Sequence, residues 1–179
     1  MGHSTRPIEK FLLVLRAHSI DTLVDIRTVP KSRHNPQFDG DALRVTLTGA
    51  RIRYLQMKDL GGLRRPVKGS LTNAGWVNDS FRGFADYMQT ERFSAAVEEM
   101  VALARGAGGE DEPSVAIMCA EGNPFRCHRS LVADALEARG VHVVHISGVG
   151  EGRPHRMTPF AKVVGTQVTY PWGAEVSSA

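Results

Sequence analysis

The residues best equipped for chemistry lie in one short run, Cys119-Ala-Glu121-Gly-Asn-Pro-Phe-Arg126-Cys127-His128-Arg129. Six reactive or ionisable side chains fall within these eleven residues. A thiol set near guanidinium groups, an imidazole and a helix N-terminus has a lowered pKa and a larger thiolate fraction, the condition for nucleophilic attack. On this reading the protein is an enzyme acting on a phosphorylated or other anionic small molecule, nucleotide-derived among the options: Cys119 is the nucleophile or thiol group, Glu121, His128 and the more distant Asp25 are catalytic groups, and Arg126 and Arg129 hold the anion. Six residues separate Cys119 from Arg126, one more than in the thiol-phosphatase signature, and Glu121 would put a negative charge inside the cradle. A phosphatase is therefore not the reading. The plain alternative for Cys119 is a small buried hydrophobe at a strand end.

The flanking residues say how such a run would be held. Residues 115–118 are an apolar stretch of strand length, Gly122 to Pro124 interrupt it, and Leu131, Val132, Ala135 and Leu136 resume with helical spacing. Strand, loop and helix place the run beyond the carboxyl end of a strand, where open α/β sheets bind ligands. Elsewhere Ile8, Phe11, Leu12 and Leu15 share a helical face, with Thr5 as N-cap, and residues 22–27 form a strand carrying Asp25 and Arg27 at its end. Asp39 caps a short helix through Leu43 and Leu47, residues 51–57 read as a strand with one wet face, and Leu60-Gly61-Gly62 marks a turn or a close backbone approach. Residues 64–80 have no period and read as a long excursion or lid. Residues 81–88 and 93–104 are helical, 105–113 a flexible surface loop, 141–146 a last strand, and 175–179 a frayed end. The alternation predicts an α/β fold: an open parallel sheet of about four to five strands with helices on both faces, Rossmann-like, in a single domain over 1–170 with a tail over 171–179.

Composition narrows the function classes. The chain has 179 residues, 42% apolar and 23% charged, and no apolar run long enough for a membrane span. No secretory signal is visible and both cysteines sit in one loop, so a cytoplasmic protein without a disulfide framework is expected. Residues 1–70 carry 13 Lys or Arg against 6 acids, and 71–179 carry 9 against 13. The basic excess leaves a nucleic-acid or nucleotide-binding module without catalysis as an alternative, with Arg27, Lys31, Arg33, Arg51, Arg53, Arg64 and Arg65 tracking phosphates. A metal or redox role for Cys119, Cys127, His128 and His3 is a further alternative. Cys127 and His128 are adjacent and no C-x-x-C pair exists, so no metal site is assigned. The sequence names no cofactor and no oligomeric state. His142 and His145 read as strand positions without a role, and His155 as part of a loop reaching the cleft.

G-H-S-T-R, L-V-D-I-R-T-V-P followed by S-R-H-N-P-Q-F, L-G-G, C-A-E-G-N-P-F-R-C-H-R and P-H-R-M-T-P-F-A occur in this order. Together they resemble the family known as domain of unknown function 488, from Gly2 to about Ala161. The resemblance implies a small bacterial-type cytoplasmic α/β domain without an assigned activity. It points to His3, Ser4, Asp25, Arg27, Arg33, Gly61, Gly62, Cys119, Glu121, Cys127, His128 and Arg129 as motif positions, with His3, Ser4, Arg27, Arg33, Gly61, Gly62 and Cys127 added to the anion-binding set. Family members carry a short apolar strand before Gly-His-Ser, and this sequence opens at Met1.

Overall fold

A computed structural model describes residues 1–106 and 114–173. Its centre is β1 (Thr22–Asp25), flanked in parallel by β2 (Arg53–Gln56) and β3 (Val115–Met118). Asp25 lies opposite Gln56 on one side and Met118 on the other. Because side chains alternate along a strand, this register decides which residues share a face. Leu23 joins Ala116 and Met118 in a core built with α1 (Ile8–Ala17) and α2 (Gly40–Gly49). Val24 and Ile26 join the opposite core, built with α3 (Asp79–Tyr87), α4 (Glu91–Arg105) and α5 (Arg129–Glu137). Helices thus cover both faces of a parallel sheet, as expected for α/β.

The sheet is smaller than expected. It has three strands among the described residues, not four to five. The expected last strand over 141–146 does not join it: only β4 (Val144–His145) is extended with a partner, and that partner is the antiparallel β5 (Arg153–Pro154). A second antiparallel pair, β6 (Lys162–Val164) and β7 (Gln167–Thr169), also stands apart. Beside β3, Gly2 makes an isolated parallel bridge to Cys119. There the backbone N–H of His3 donates to Cys119 O at 3.1 Å and that of Cys119 to Met1 O at 3.3 Å.

Two caps differ from the sequence expectation. α1 starts after Pro7 without a side-chain cap, so Thr5 does not serve there; a proline preset near helical φ suffices for entry. Asp39 stands at the N-cap of α2, but its carboxylate accepts from the backbone N–H of Ser32 instead of capping. Asn78 and Thr90 do cap α3 and α4 by accepting from Phe81 N–H and Phe93 N–H. Of the expected excursion over residues 64–80, residues 64–78 contain turns but no helix or strand, and α3 begins at Asp79. Most of the predicted 105–113 loop, and the predicted frayed end 175–179, lie outside the described residues. Among the described residues no helix is long and apolar enough to cross a membrane.

The end of β1 is pinned by charge. Asp25 is fully buried and accepts from the Arg27 backbone N–H at 3.0 Å, from its Nε at 2.9 Å, from its Nη2 at 2.5 Å and from the Tyr54 hydroxyl at 2.8 Å. Arg27 Nη2 also donates to Phe38 O at 2.7 Å, tying the strand to the turn before α2. Removing one partner of a buried pair leaves the other charge uncompensated, so Asp25→Ala is expected to cost roughly 3–5 kcal/mol. Tyr54→Phe, which deletes one donor, should cost about 1–2 kcal/mol. Urea unfolding of the two variants beside the parent checks the order; equal losses would contradict it.

Candidate functional site

β3 ends at Met118, and the next residue, Cys119, has the side-chain parity of Val115 and Ile117. Its sulfur therefore packs toward α3, α4 and α5. The chain then runs through an Asn123-capped 3₁₀ turn (Pro124–Arg126) and brings Cys127 back two residues before α5. Asn123 Oδ1 accepts from Phe125 N–H at 3.0 Å, and Glu121 Oε1 accepts from Asn123 N–H at 2.9 Å. These short bonds fold the loop onto itself. The result is two free cysteines side by side, Cys127 buried and Cys119 partly open.

Charge at this point is unusual. Arg129 is 3% exposed and has no carboxylate partner among the described residues. Its Nε donates to Cys127 Sγ at 3.4 Å and its Nη2 to Glu121 O. His128 Nδ1 lies 3.6 Å from the same sulfur. A hydrogen bond from Cys119 to Cys127 holds the Cys127 thiol well below its ordinary range, against the opposing effect of burial, and His128 and Arg129 add to it. The same shared bond, followed by burial, pushes the Cys119 thiol up. The pair titrates as a unit, and the directions of the two shifts favour Cys127 as the sulfur that gives up its proton first. Cys119 Sγ, Cys127 Sγ and a His128 nitrogen lie within 4.8 Å of one another, so these three residues are also the set able to hold a thiophilic cation.

Asp25 belongs to a different group. Sheet parity turns it toward α1 and α2, away from the sulfurs, and its lone pairs are occupied by Arg27 and Tyr54. These bonds make it a strut at the end of β1, and among the described residues none joins it to Arg129 or to the sulfurs. His3 joins Asp25's side of the rim: its ring stacks on Phe38 at 4.2 Å, and Nδ1 donates to Ser4 O at 2.8 Å. That bond leaves Nε2 as the acceptor facing Arg27 Nη1 at 3.4 Å, and burial lowers the His3 pKa. Ser4 is exposed with φ 51°.

The glycines act through close approach. A Cβ on Gly62 would lie 2.4 Å from His128 Nδ1, and one on Gly2 would lie 1.9 Å from Glu121 O. Gly61 is pressed on Thr28 Oγ1 in the same way, at 2.3 Å. Gly2 and Gly62 seat their loops against the cysteine run, and Gly61 seats its loop against Thr28. Glu121, Arg126 and Arg33 are exposed. Glu121 spends its carboxylate on its own loop; Arg126 stands beside Cys127 with its side chain unpaired among the described residues; Arg33 lies in the loop after β1 and joins neither group.

Sequence reading missed a second polar cluster. Asp134 sits on the apolar stripe of α5, three residues after Leu131, and is fully buried. It accepts from Tyr170 Oη at 2.7 Å, Thr158 Oγ1 at 2.7 Å, Thr158 N–H at 3.0 Å and His155 Nε2 at 2.8 Å. His155 Nδ1 lies 2.9 Å from His145 Nε2. An acid on the inward stripe of a helix was the available signal; its partners come from 21 to 36 residues away.

A family model described as "Domain of unknown function DUF488" matches residues 7–136. No curated protein and no solved structure matches the chain.

Two outcomes follow from the sulfur geometry. Gly62→Ala forces the His128 ring off Cys127; a loss of roughly 1–3 kcal/mol is expected, together with a rise in the pH at which thiolate absorbance appears. Unchanged thiolate absorbance would contradict the packing. For pH, Cys127 has a folded pKa below its unfolded value near 9, so its contribution to stability is complete above that value and falls as pH drops toward the folded pKa. Cys119, raised in the fold, acts oppositely and loses its contribution as pH climbs past 9. The stability difference between the parent and a Cys119→Ala/Cys127→Ala double variant should therefore grow from acid to about pH 9 and shrink beyond. Denaturant midpoints across pH check this, and a flat difference would contradict it.

Proposed function

This chain belongs to the family described as domain of unknown function DUF488, and on that footing we propose a thiol-dependent enzyme acting on a small anionic molecule at the Cys119–Cys127 pair. One observation carries the reading: a buried guanidinium, Arg129, has a sulfur where a carboxylate would ordinarily stand. Burying an unpaired cation is costly, and a thiolate on Cys127 removes that cost. Spacing alone assigned the nucleophile to Cys119; the geometry favours Cys127, because the sulfur that bears the charge is the one that attacks. Cys119, the more open sulfur, then offers its S–H proton to a departing group. His128 and Arg129 steady the thiolate, and exposed Arg126 beside it supplies a guanidinium for an anionic substrate. Glu121 contributes its carbonyl, as the acceptor that fixes Arg129.

Thiolate absorbance in the ultraviolet, titrated on the intact protein, tests the charge assignment without a substrate. The parent should keep one thiolate per chain from neutral to mildly acidic pH. Cys127→Ser should abolish it and Arg129→Met should move its appearance to higher pH. Two thiols titrating in the ordinary range would overturn the reading. So would stoichiometric zinc in the protein as purified, with both sulfurs protected from alkylation.

A further inference from the structure

The chain has two cysteines, and the fold sets their sulfurs together. Cys119 follows β3, where its carbonyl oxygen accepts from His3 N–H at 3.1 Å. Cys127 donates its N–H to Pro124 O at 3.2 Å, and its own carbonyl oxygen accepts from the N–H and the hydroxyl of Ser130 at 3.1 and 3.0 Å. Backbone bonds therefore hold both ends of the loop. Between them Ala120, Glu121, Asn123, Phe125 and Arg126 are exposed, so the loop can give without disturbing either core. The sulfurs lie within 4.8 Å of each other and share a hydrogen bond. A disulfide brings two sulfurs to about 2 Å, a change within reach of side-chain rotation about χ1.

We propose that Cys119 and Cys127 are a site of reversible oxidative modification, joined as a disulfide when the protein meets a peroxide. Hydrogen peroxide is the smallest member of that class, and Cys119, partly open, gives it an approach. In the first step a sulfur lone pair attacks one peroxide oxygen; an S–O bond forms, the O–O bond breaks and hydroxide leaves. The attacking thiol's own proton, held by the sulfur or already released to solvent, converts that hydroxide to water. In the second step the other thiol attacks the sulfenic acid; an S–S bond forms, the S–O bond breaks, and the thiol proton leaves with the hydroxyl as water. The two sulfurs together lose two electrons, and the peroxide is reduced to two waters. Proximity decides the product, because the second thiol is already in contact while a second peroxide must arrive from solution.

The surroundings favour return to the thiols. Arg129 is 3% exposed, and its side chain donates to Cys127 Sγ at 3.4 Å and to Glu121 O, its two bonds among the described residues. A disulfide sulfur is neutral and a poor acceptor, so oxidation leaves a buried guanidinium worse partnered than before. A disulfide whose reduced form is the better stabilised is of the labile kind, not a structural staple. While it lasts, neither sulfur is free and the reaction proposed for the pair is shut off; reduction restores it. That consequence rests on the proposed function. The bond itself follows from where the two sulfurs stand and needs no substrate.

The intact protein, fully reduced and then treated with a small molar excess of hydrogen peroxide, is read by mass spectrometry after digestion without reductant. The expected product is a chain lighter by two hydrogens, with Cys119 and Cys127 cross-linked in the fragment map. Glutathione should return both thiols. A dimer joined between chains, two thiols left unchanged, or a cross-link that glutathione does not open would overturn the proposal. Under larger excess, Cys119→Ser and Cys127→Ser should each accumulate sulfinic acid at the remaining cysteine, while the parent stops at the disulfide. A parent that over-oxidises as fast as the single-cysteine variants would mean that the second thiol does not resolve the first, and the proposal falls. The two readings fail separately: a cross-link in a protein without thiolate absorbance supports the disulfide and removes the proposed enzyme, and thiolate absorbance without a cross-link does the reverse.

Discussion

Two arginines are buried at the carboxyl rim of a small sheet, and each must meet a negative charge. Arg27 finds one in Asp25, two residues back on the same strand face, with Tyr54 completing the carboxylate's bonds. Arg129 has no carboxylate and rests on a sulfur and a carbonyl oxygen. The need to neutralise a guanidinium away from water is common to both, and in the function proposed for the cysteine pair the second solution leaves an anion that is also a nucleophile. The difference traces to strand parity. Asp25 is in register with Met118, so both face α1 and α2, while Cys119, one position on, faces the other core.

That arrangement depends on backbone passing close to backbone. The cysteine loop is clamped from one side by Gly2 against Glu121 and from the other by Gly62 against His128. A methyl group at either place would intrude on atoms that cannot easily yield. The glycines therefore serve the site by letting loops from the chain's start, from the end of β2 and from the end of β3 press together. His128 is held to the thiol by this packing, with its ring 5.0 Å from that of Phe84 on the other side.

Much of the framework was legible in local pattern. The helical stripes of α1, α2, α4 and α5 and the apolar runs of β1 and β3 follow from side-chain period and from breakers such as Gly122 and Pro124. The cysteine run announced itself by composition. Less legible was anything set by tertiary register. Nothing local says that Asp25 and Cys119 face opposite cores, or that of residues 141–146, apolar enough for a sheet strand, only Val144 and His145 pair, and do so with Pro154 and Arg153. The same holds for partners: His145 looked like a strand position because its neighbour in space, His155, is ten residues on and leads to Asp134 on another element. The expected anion-binding set divides for this reason, with Arg27 consumed by Asp25, Arg129 by Cys127, and Arg33 left in solvent.

The central claim is that the negative charge opposite Arg129 resides on Cys127. The most direct measurement is the carbon-13 shift of the Cys127 Cβ, followed by nuclear magnetic resonance from neutral to acid pH in the intact protein. A shift that stays at the thiolate value well below the ordinary thiol range, with Cys119 remaining at the thiol value, is the result this account predicts. A Cys127 carbon at the thiol value at neutral pH would contradict it, and would leave Arg129 as a buried cation with only neutral company.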